Sequence, residues 1–338
     1  MKRSGGKLLN SNFSHIYAER SVFTHPRTEY ILRMFDNSRL VEIKHYKDIF
    51  SRKGQEFHIQ KQSPKLIIAR GSPPFLYKGS ERCQSFGNRH FFYASPVINC
   101  PYNCGYCYLQ GKYPSSNLLV FVNLEDTFET IDRLLKRHPL YISISYDTDL
   151  LALESIIHFV EAWLDFTCTR HDLLIEIRTK SVNISSLMKR KPVPNAVFAW
   201  TVSPAKIAMD YEKGAPTPAE RLKAAKKLMD KGWNVRICFD PVLFVPDWKK
   251  VYLDCIQETF KILNASELKD ISLGVFRIGC GYLKQAREKN PWSPLLSYPF
   301  VKEGDAYTYP GSLRDEMMRF LCEELERHVP LKKCYLQE

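Results

Sequence analysis

Cys100, Cys104 and Cys107, in the stretch Cys-Pro-Tyr-Asn-Cys-Gly-Tyr-Cys-Tyr, form a CxxxCxxC run. Cysteine thiolates hold iron–sulfur clusters, ordinarily four to a cluster. Three of them within eight residues can hold three irons of a 4Fe–4S cluster and leave the fourth iron open. In radical chemistry the open iron takes S-adenosylmethionine through its amino and carboxylate groups. An electron from the cluster then breaks a carbon–sulfur bond and releases a 5′-deoxyadenosyl radical. The cofactor carries that step, and the protein supplies orientation and shielding. Zinc is the alternative, but zinc sites favour C-x2-C pairs with a second pair or histidines roughly 12–20 residues on, and no such pair follows Cys107. A disulfide would leave one thiol of the three over.

These cysteines need elements to position them. Strand candidates are 91–98, 118–122, 140–145, 173–178, 196–202, 235–239 and 271–276, with helical patterns at 124–136, 150–163, 184–190, 218–231 and 249–263. Strands alternating with helices of this length imply βαβ units and a parallel sheet. Thr217-Pro218-Ala219-Glu220 reads as a capped helix start, and Gly232 sits where that helix should stop. A strand followed at once by the cysteine loop, then further βα repeats, fits an α/β fold, a partial (β/α)6 barrel of the TIM type. Active residues in such barrels project from the C-terminal ends of strands. The expected organisation is an N-terminal extension over 1–89, the barrel over 90–280 and a C-terminal extension over 281–338 that closes it. The extensions carry a short strand at 66–69, a helix around 29–34 and another at 312–327.

Composition sets bounds. The chain has 338 residues, 44% hydrophobic and 25% charged, ordinary for a folded soluble protein. No run of eighteen apolar residues exists, so no membrane span is expected. The opening Met-Lys-Arg-Ser-Gly-Gly-Lys is basic without an apolar signal core, which points to the cytoplasm. The seven cysteines outside the motif, Cys83, Cys168, Cys238, Cys255, Cys280, Cys322 and Cys334, are expected mostly as small buried hydrophobes. The balance of 49 basic to 37 acidic residues, formally +12, suits a polyanion such as DNA or RNA.

Tyr106, just before Cys107, matches the aromatic residue usual in radical S-adenosylmethionine loops. The segment Cys-Gly-Tyr-Cys-Tyr-Leu-Gln at 104–110, with Val122-Asn123-Leu124-Glu125-Asp126 after it, resembles the spore photoproduct lyase family. The likeness continues through Ile177-Arg-Thr-Lys180, the Thr-Val-Ser triplet at 201–203 and Gly214-Ala-Pro-Thr-Pro-Ala-Glu-Arg-Leu-Lys-Ala-Ala225. That family repairs a thymine photoproduct in DNA. The resemblance implies a 4Fe–4S cluster on Cys100, Cys104 and Cys107, Tyr106 near the adenine, and Lys180 paired with the cofactor's carboxylate. It also implies cofactor contacts from Thr148, Asp149 and Thr201, hydrogen-atom relay through Tyr108, damaged DNA as partner, and an electron donor such as flavodoxin or ferredoxin. For each of these residues a plainer role stays open: a solvated lysine, a core aromatic, a hydroxyl satisfying a turn.

Two stretches depart from the family. Its hydrogen-donating cysteine after the third strand is replaced by Tyr146, in Ile144-Ser145-Tyr146-Asp147-Thr148-Asp149. Tyr146 itself, Cys83, Cys238 and above all Cys280, in Arg277-Ile-Gly-Cys-Gly-Tyr282, are the candidate substitutes. A basic segment of the family reads Asp305-Ala-Tyr-Thr-Tyr-Pro-Gly311 here. The resulting expectation is a radical S-adenosylmethionine lyase acting on a thymine photoproduct. The alternative is the same radical machinery serving RNA, a peptide or a metabolite, and a non-catalytic metal-bearing nucleic-acid binder is the remaining reading.

Overall fold

The computed structural model describes residues 13–80 and 83–337; the basic opening at 1–7 lies outside them. Six parallel strands make its centre, Phe91–Tyr93, Leu140–Ser143, Leu173–Thr179, Ala196–Thr201, Asn234–Val242 and Asp270–Val275, hydrogen-bonded in that order. Their side chains are buried almost throughout, as expected for strands covered on both faces. Tyr77–Lys78 adds an antiparallel strand at one edge, and Cys334–Gln337 adds a parallel one at the other. The sheet is the curled half-barrel that the strand–helix alternation implies. Helices between strands cover it, among them Pro218–Asp230, whose start is the capping box foreseen at Thr217 and Glu220. Gly232, at φ +93°, ends that helix in the left-handed region that only glycine enters freely. No helix of the described residues is long and apolar enough to cross a membrane.

Three local expectations change. The segment 91–98 divides into Phe91–Tyr93, in the barrel, and Val97–Ile98, which pairs antiparallel with Leu118–Phe121. Leu118–Phe121 itself joins a second sheet with the N-terminal strands Leu66–Ala69, His15–Glu19 and Arg39–Ile43. Its near-continuous burial carries no period that distinguishes one sheet from the other. The polar residues before it decide: Asn117 Oδ1 accepts from the Lys65 N–H at 2.9 Å, and Ser116 donates to the Phe57 carbonyl at 2.8 Å. The helix expected at 150–163 is broken at His158, which adopts φ 51°. There Glu154 accepts the otherwise unpaired N–H groups of Val160 (2.7 Å) and Glu161 (2.8 Å), starting a new helix, Phe159–Thr167.

The cysteines outside the motif are less buried than expected. Cys238 and Cys255 are buried, Cys168 is exposed, and Cys83, Cys280, Cys322 and Cys334 are half-buried.

Candidate active site

The cysteine loop is fastened at several points before it offers any thiol. Asn99 enters it in the left-handed region (φ 70°), which asparagine tolerates, and its side-chain amide donates to the carbonyls of Ser115 (2.9 Å) and Asn117 (2.7 Å). Asn103–Cys104 pairs antiparallel with Glu212–Lys213, and the Gly105 N–H donates to the Tyr211 carbonyl at 2.7 Å. Lys61, from the N-terminal helix Phe57–Gln62, donates its ammonium to the carbonyls of Cys100 and, at 2.9 Å, Tyr102. Gln110 donates to the Cys104 carbonyl at 2.7 Å. Gly111 lets the helix Leu109–Lys112 lie against Cys280–Lys289, because a Cβ there would meet the Tyr282 carbonyl oxygen at 2.1 Å.

Glu212 is the buried hub of this side. It accepts from Ser203 Oγ at 2.8 Å, from the Tyr106 hydroxyl and from the Arg221 guanidinium, with the Lys180 ammonium 3.8 Å away. Burial works to raise its pKa, but Lys180 and Arg221 outweigh it and hold the carboxylate below its usual range. The reverse holds for Lys180, where burial disfavours the charge and Cys104 and Glu212 restore it, so that its pKa ends raised. Burial pushes the thiols of Cys100, Cys104 and Cys107 up. Nucleophilic cysteines are tuned the other way, so this is a setting in which a bound cation has to draw the protons off.

A cavity of about 430 Å³ opens at the C-terminal ends of the barrel strands. One group lining it is Cys100, Cys104, Cys107, Thr148, Lys180 and Thr201. The Thr148 hydroxyl is buried, lines the cavity and has no hydrogen-bond partner. A buried polar atom of that kind calls for an external partner. Three converging thiols, a lysine that stays charged and a partnerless hydroxyl fit a site-differentiated cluster with an amino-acid-bearing ligand. Asp149 turns inward, accepting from Thr179 Oγ1 (2.7 Å) and the N–H groups of Lys180 (2.6 Å) and Ala152 (3.1 Å), so it positions the lysine's backbone.

A second lining group is Cys83, Tyr93, Tyr108, Tyr146, Arg178 and Arg277. Tyr108 donates its hydroxyl to the Tyr146 carbonyl at 2.5 Å and to Asp147 at 3.2 Å. Tyr146 stacks on Tyr93, with ring centroids 4.0 Å apart, and its hydroxyl lies 3.6 Å from the Cys83 sulfur. Asp240 sits between Arg178 (3.0 Å) and Arg277 (2.9 Å). Cys280 begins the helix Cys280–Lys289 and gives its N–H to the Asp305 carbonyl at 2.9 Å. It does not line the cavity, whereas Tyr282 does. The 306–308 part of the divergent C-terminal segment pairs with Arg277–Gly279 beside the cavity.

Sequence reasoning places the cysteines, Tyr106, Tyr108, Tyr146, Thr148, Lys180 and Thr201 together, and the cavity gathers them. It missed Glu212, Arg221 and Lys61. Arg221 left a signal, an arginine among Leu222, Ala224 and Ala225 on the buried face of its helix; a fully buried guanidinium demands a carboxylate. Lys61 left none.

The spore photoproduct lyase family model matches residues 89–289, more than half of the chain. A spore photoproduct lyase of Geobacillus sp. (strain Y412MC61) is 23% identical over 185 residues, 53% of this chain and 54% of that protein. The chain thus spans about half the length of that relative. The Clostridium acetobutylicum enzyme of the same name is 19% identical over 77% of this chain and 78% of its own. A solved spore photoproduct lyase variant with bound AdoMet and dinucleoside spore photoproduct superposes with a TM-score of 0.82 at 17% identity, covering 97% of this chain and 99% of that one. With the fold shared along its length and the family model spanning the cysteine loop and barrel, this chain belongs to the spore photoproduct lyase family.

Proposed function

We propose that the chain is a radical S-adenosylmethionine lyase that repairs a thymine photoproduct in DNA. The carrying observation is the meeting, in one cavity, of Cys100, Cys104 and Cys107 with Lys180 and the partnerless Thr148 hydroxyl. The three thiols would hold a 4Fe–4S cluster, Lys180 a carboxylate of S-adenosylmethionine, Thr148 and Thr201 its polar edge, and Tyr106 its adenine side. When bound, that pair of cofactors supplies a 5′-deoxyadenosyl radical able to take a hydrogen atom from the substrate. Asp149 and Glu212 keep Lys180 placed and charged, and the loop fastenings keep water from the thiols. The net +12 charge favours a phosphate backbone, and a base must leave its stack to reach the barrel mouth, at a cost of a few kcal/mol. The organisation proposed with this reading is an extension over 1–89, the barrel over 90–280 and a closing segment over 281–338. A cytoplasmic location and reduction by a flavodoxin or ferredoxin complete it.

Anaerobic reconstitution tests the reading. The expected result is a brown protein with about four irons per chain that cleaves S-adenosylmethionine and restores thymine from the dinucleoside lesion. A colourless, zinc-filled preparation refutes the cofactor assignment. Cleavage without restored thymine refutes the substrate. A different substrate, RNA, a peptide or a metabolite, is favoured by one observation: Tyr146 stands where the family carries its donor cysteine.

A further inference from the structure

We infer that Cys83, with Tyr146 beside it, is the hydrogen-atom donor that quenches the product radical in this cavity. The inference rests on the radical reading above and deepens it. A carbon radical formed in a closed site is quenched by the weakest X–H bond within reach, and among side chains that bond is a thiol S–H. All ten cysteines lie among the described residues, and four of them line the cavity. Three form the CxxxCxxC run, and the fourth is Cys83. Cys238 is fully buried in its strand and, like Cys280, contributes nothing to the lining.

The surroundings suit a donor rather than a nucleophile. Burial pushes the Cys83 thiol up, against the hydrogen bond from Tyr146 and the nearby Arg277 and Arg178, so at neutral pH the sulfur keeps its hydrogen. The Tyr146 hydroxyl, 3.6 Å from that sulfur, is within reach to replace the hydrogen once it is given. Tyr146 is held for this by its stack on Tyr93 and by the Tyr108 hydroxyl on its carbonyl.

Each step moves one hydrogen atom and no net charge. The S–H bond of Cys83 breaks and a C–H bond forms on the product, leaving a thiyl radical. The O–H bond of Tyr146 then breaks, restoring the thiol and leaving a tyrosyl radical. Tyr108, whose ring centroid lies 6.0 Å from that of Tyr146, is the next neighbour able to return the hydrogen taken from the lesion at the outset. That return closes the cycle with no external oxidant or reductant.

The experiment compares wild type, Cys83→Ser, Cys83→Ala, Cys280→Ala and, as an unrelated exposed control, Cys168→Ala. One arm uses reconstituted enzyme and the dinucleoside lesion. Both Cys83 variants are expected to cleave S-adenosylmethionine at the wild-type rate while restoring thymine at least tenfold more slowly. Serine keeps the shape and hydrogen bond but not the S–H, so a Cys83→Ser enzyme that restores thymine normally overturns the proposal. Loss confined to Cys280→Ala overturns it equally. The second arm needs no cofactor: methylthiolation of Cys83 by methyl methanethiosulfonate, followed by peptide mass spectrometry, is expected to slow at least tenfold when the dinucleoside is bound. Unchanged labelling overturns the placement. Wild-type enzyme that never restores thymine refutes the functional reading, and the labelling arm then decides separately whether Cys83 faces the ligand.

Discussion

The lining group around Cys100, Cys104 and Cys107 and the group around Cys83 and Tyr146 share one cavity but are built differently. The first is a contiguous loop clamped by a strand pairing, by Lys61 and by a buried hub at Glu212 that joins Tyr106, Ser203, Arg221 and Lys180. The second is gathered from distant stretches of chain and held by ring stacking and single hydrogen bonds. A cofactor of fixed shape rewards the rigid construction, since each misplaced ligand costs binding outright. A substrate side assembled from loops can change its residues without unmaking the radical machinery. That is the pattern here: the cofactor motif is kept, while the donor position after the third strand carries Tyr146.

The comparison is broken most directly at the loop. Cys104→Ala should remove the cluster altogether, with iron content and S-adenosylmethionine cleavage falling to background while far-ultraviolet circular dichroism stays unchanged. Retained iron would mean that the three thiols are not the ligand set. The hub comes next. Arg221→Met strands a buried Glu212 carboxylate and should cost about 3–5 kcal/mol in chemical denaturation, the usual consequence of removing one partner of a buried pair. An equivalent loss is not expected on the substrate side, where Tyr108→Phe removes two hydrogen bonds to Tyr146 and Asp147 and should cost about 1 kcal/mol. Equal losses at the two positions would erase the distinction between a rigid and an adaptable side.

Lys180→Met lies between these. It leaves Glu212 paired with Arg221, so the fold should hold, but it removes the one ammonium of the cofactor group. S-adenosylmethionine should bind roughly 30-fold more weakly, about 2 kcal/mol, as read by equilibrium binding to the reconstituted protein. Lys180→Arg should recover part of that. Full affinity in Lys180→Met would return the lysine to a merely structural role.

The same contrast explains what could be read from residues alone. The cysteine motif, Lys180 at its strand end and the alternation of strands and helices are local in sequence, and spacing conveys them. Leu118–Phe121 is a strand by pattern, yet its choice of sheet hangs on Asn117 and Ser116 meeting the N-terminal segment, a contact no period encodes. Glu212 acquires its importance only through Tyr106, Lys180 and Arg221, which come from three other elements. Cys83 likewise becomes distinctive only when folding places it beside Tyr146, 63 residues on.

The smallest effect separates binding from stability most sharply, because its two halves should carry opposite signs. Thr148 keeps a buried hydroxyl with no partner in the protein, at a cost to the empty fold. Thr148→Val removes that cost and should raise the stability of the cluster-free protein by about 1 kcal/mol. If the hydroxyl serves the cofactor, the same change should weaken S-adenosylmethionine binding by roughly three- to tenfold, the worth of one hydrogen bond. Denaturant midpoints and binding titrations on the one variant test both halves. A gain in stability with unchanged binding would make Thr148 an unfilled polar site rather than a cofactor contact, and would move the cofactor's polar edge toward Thr201.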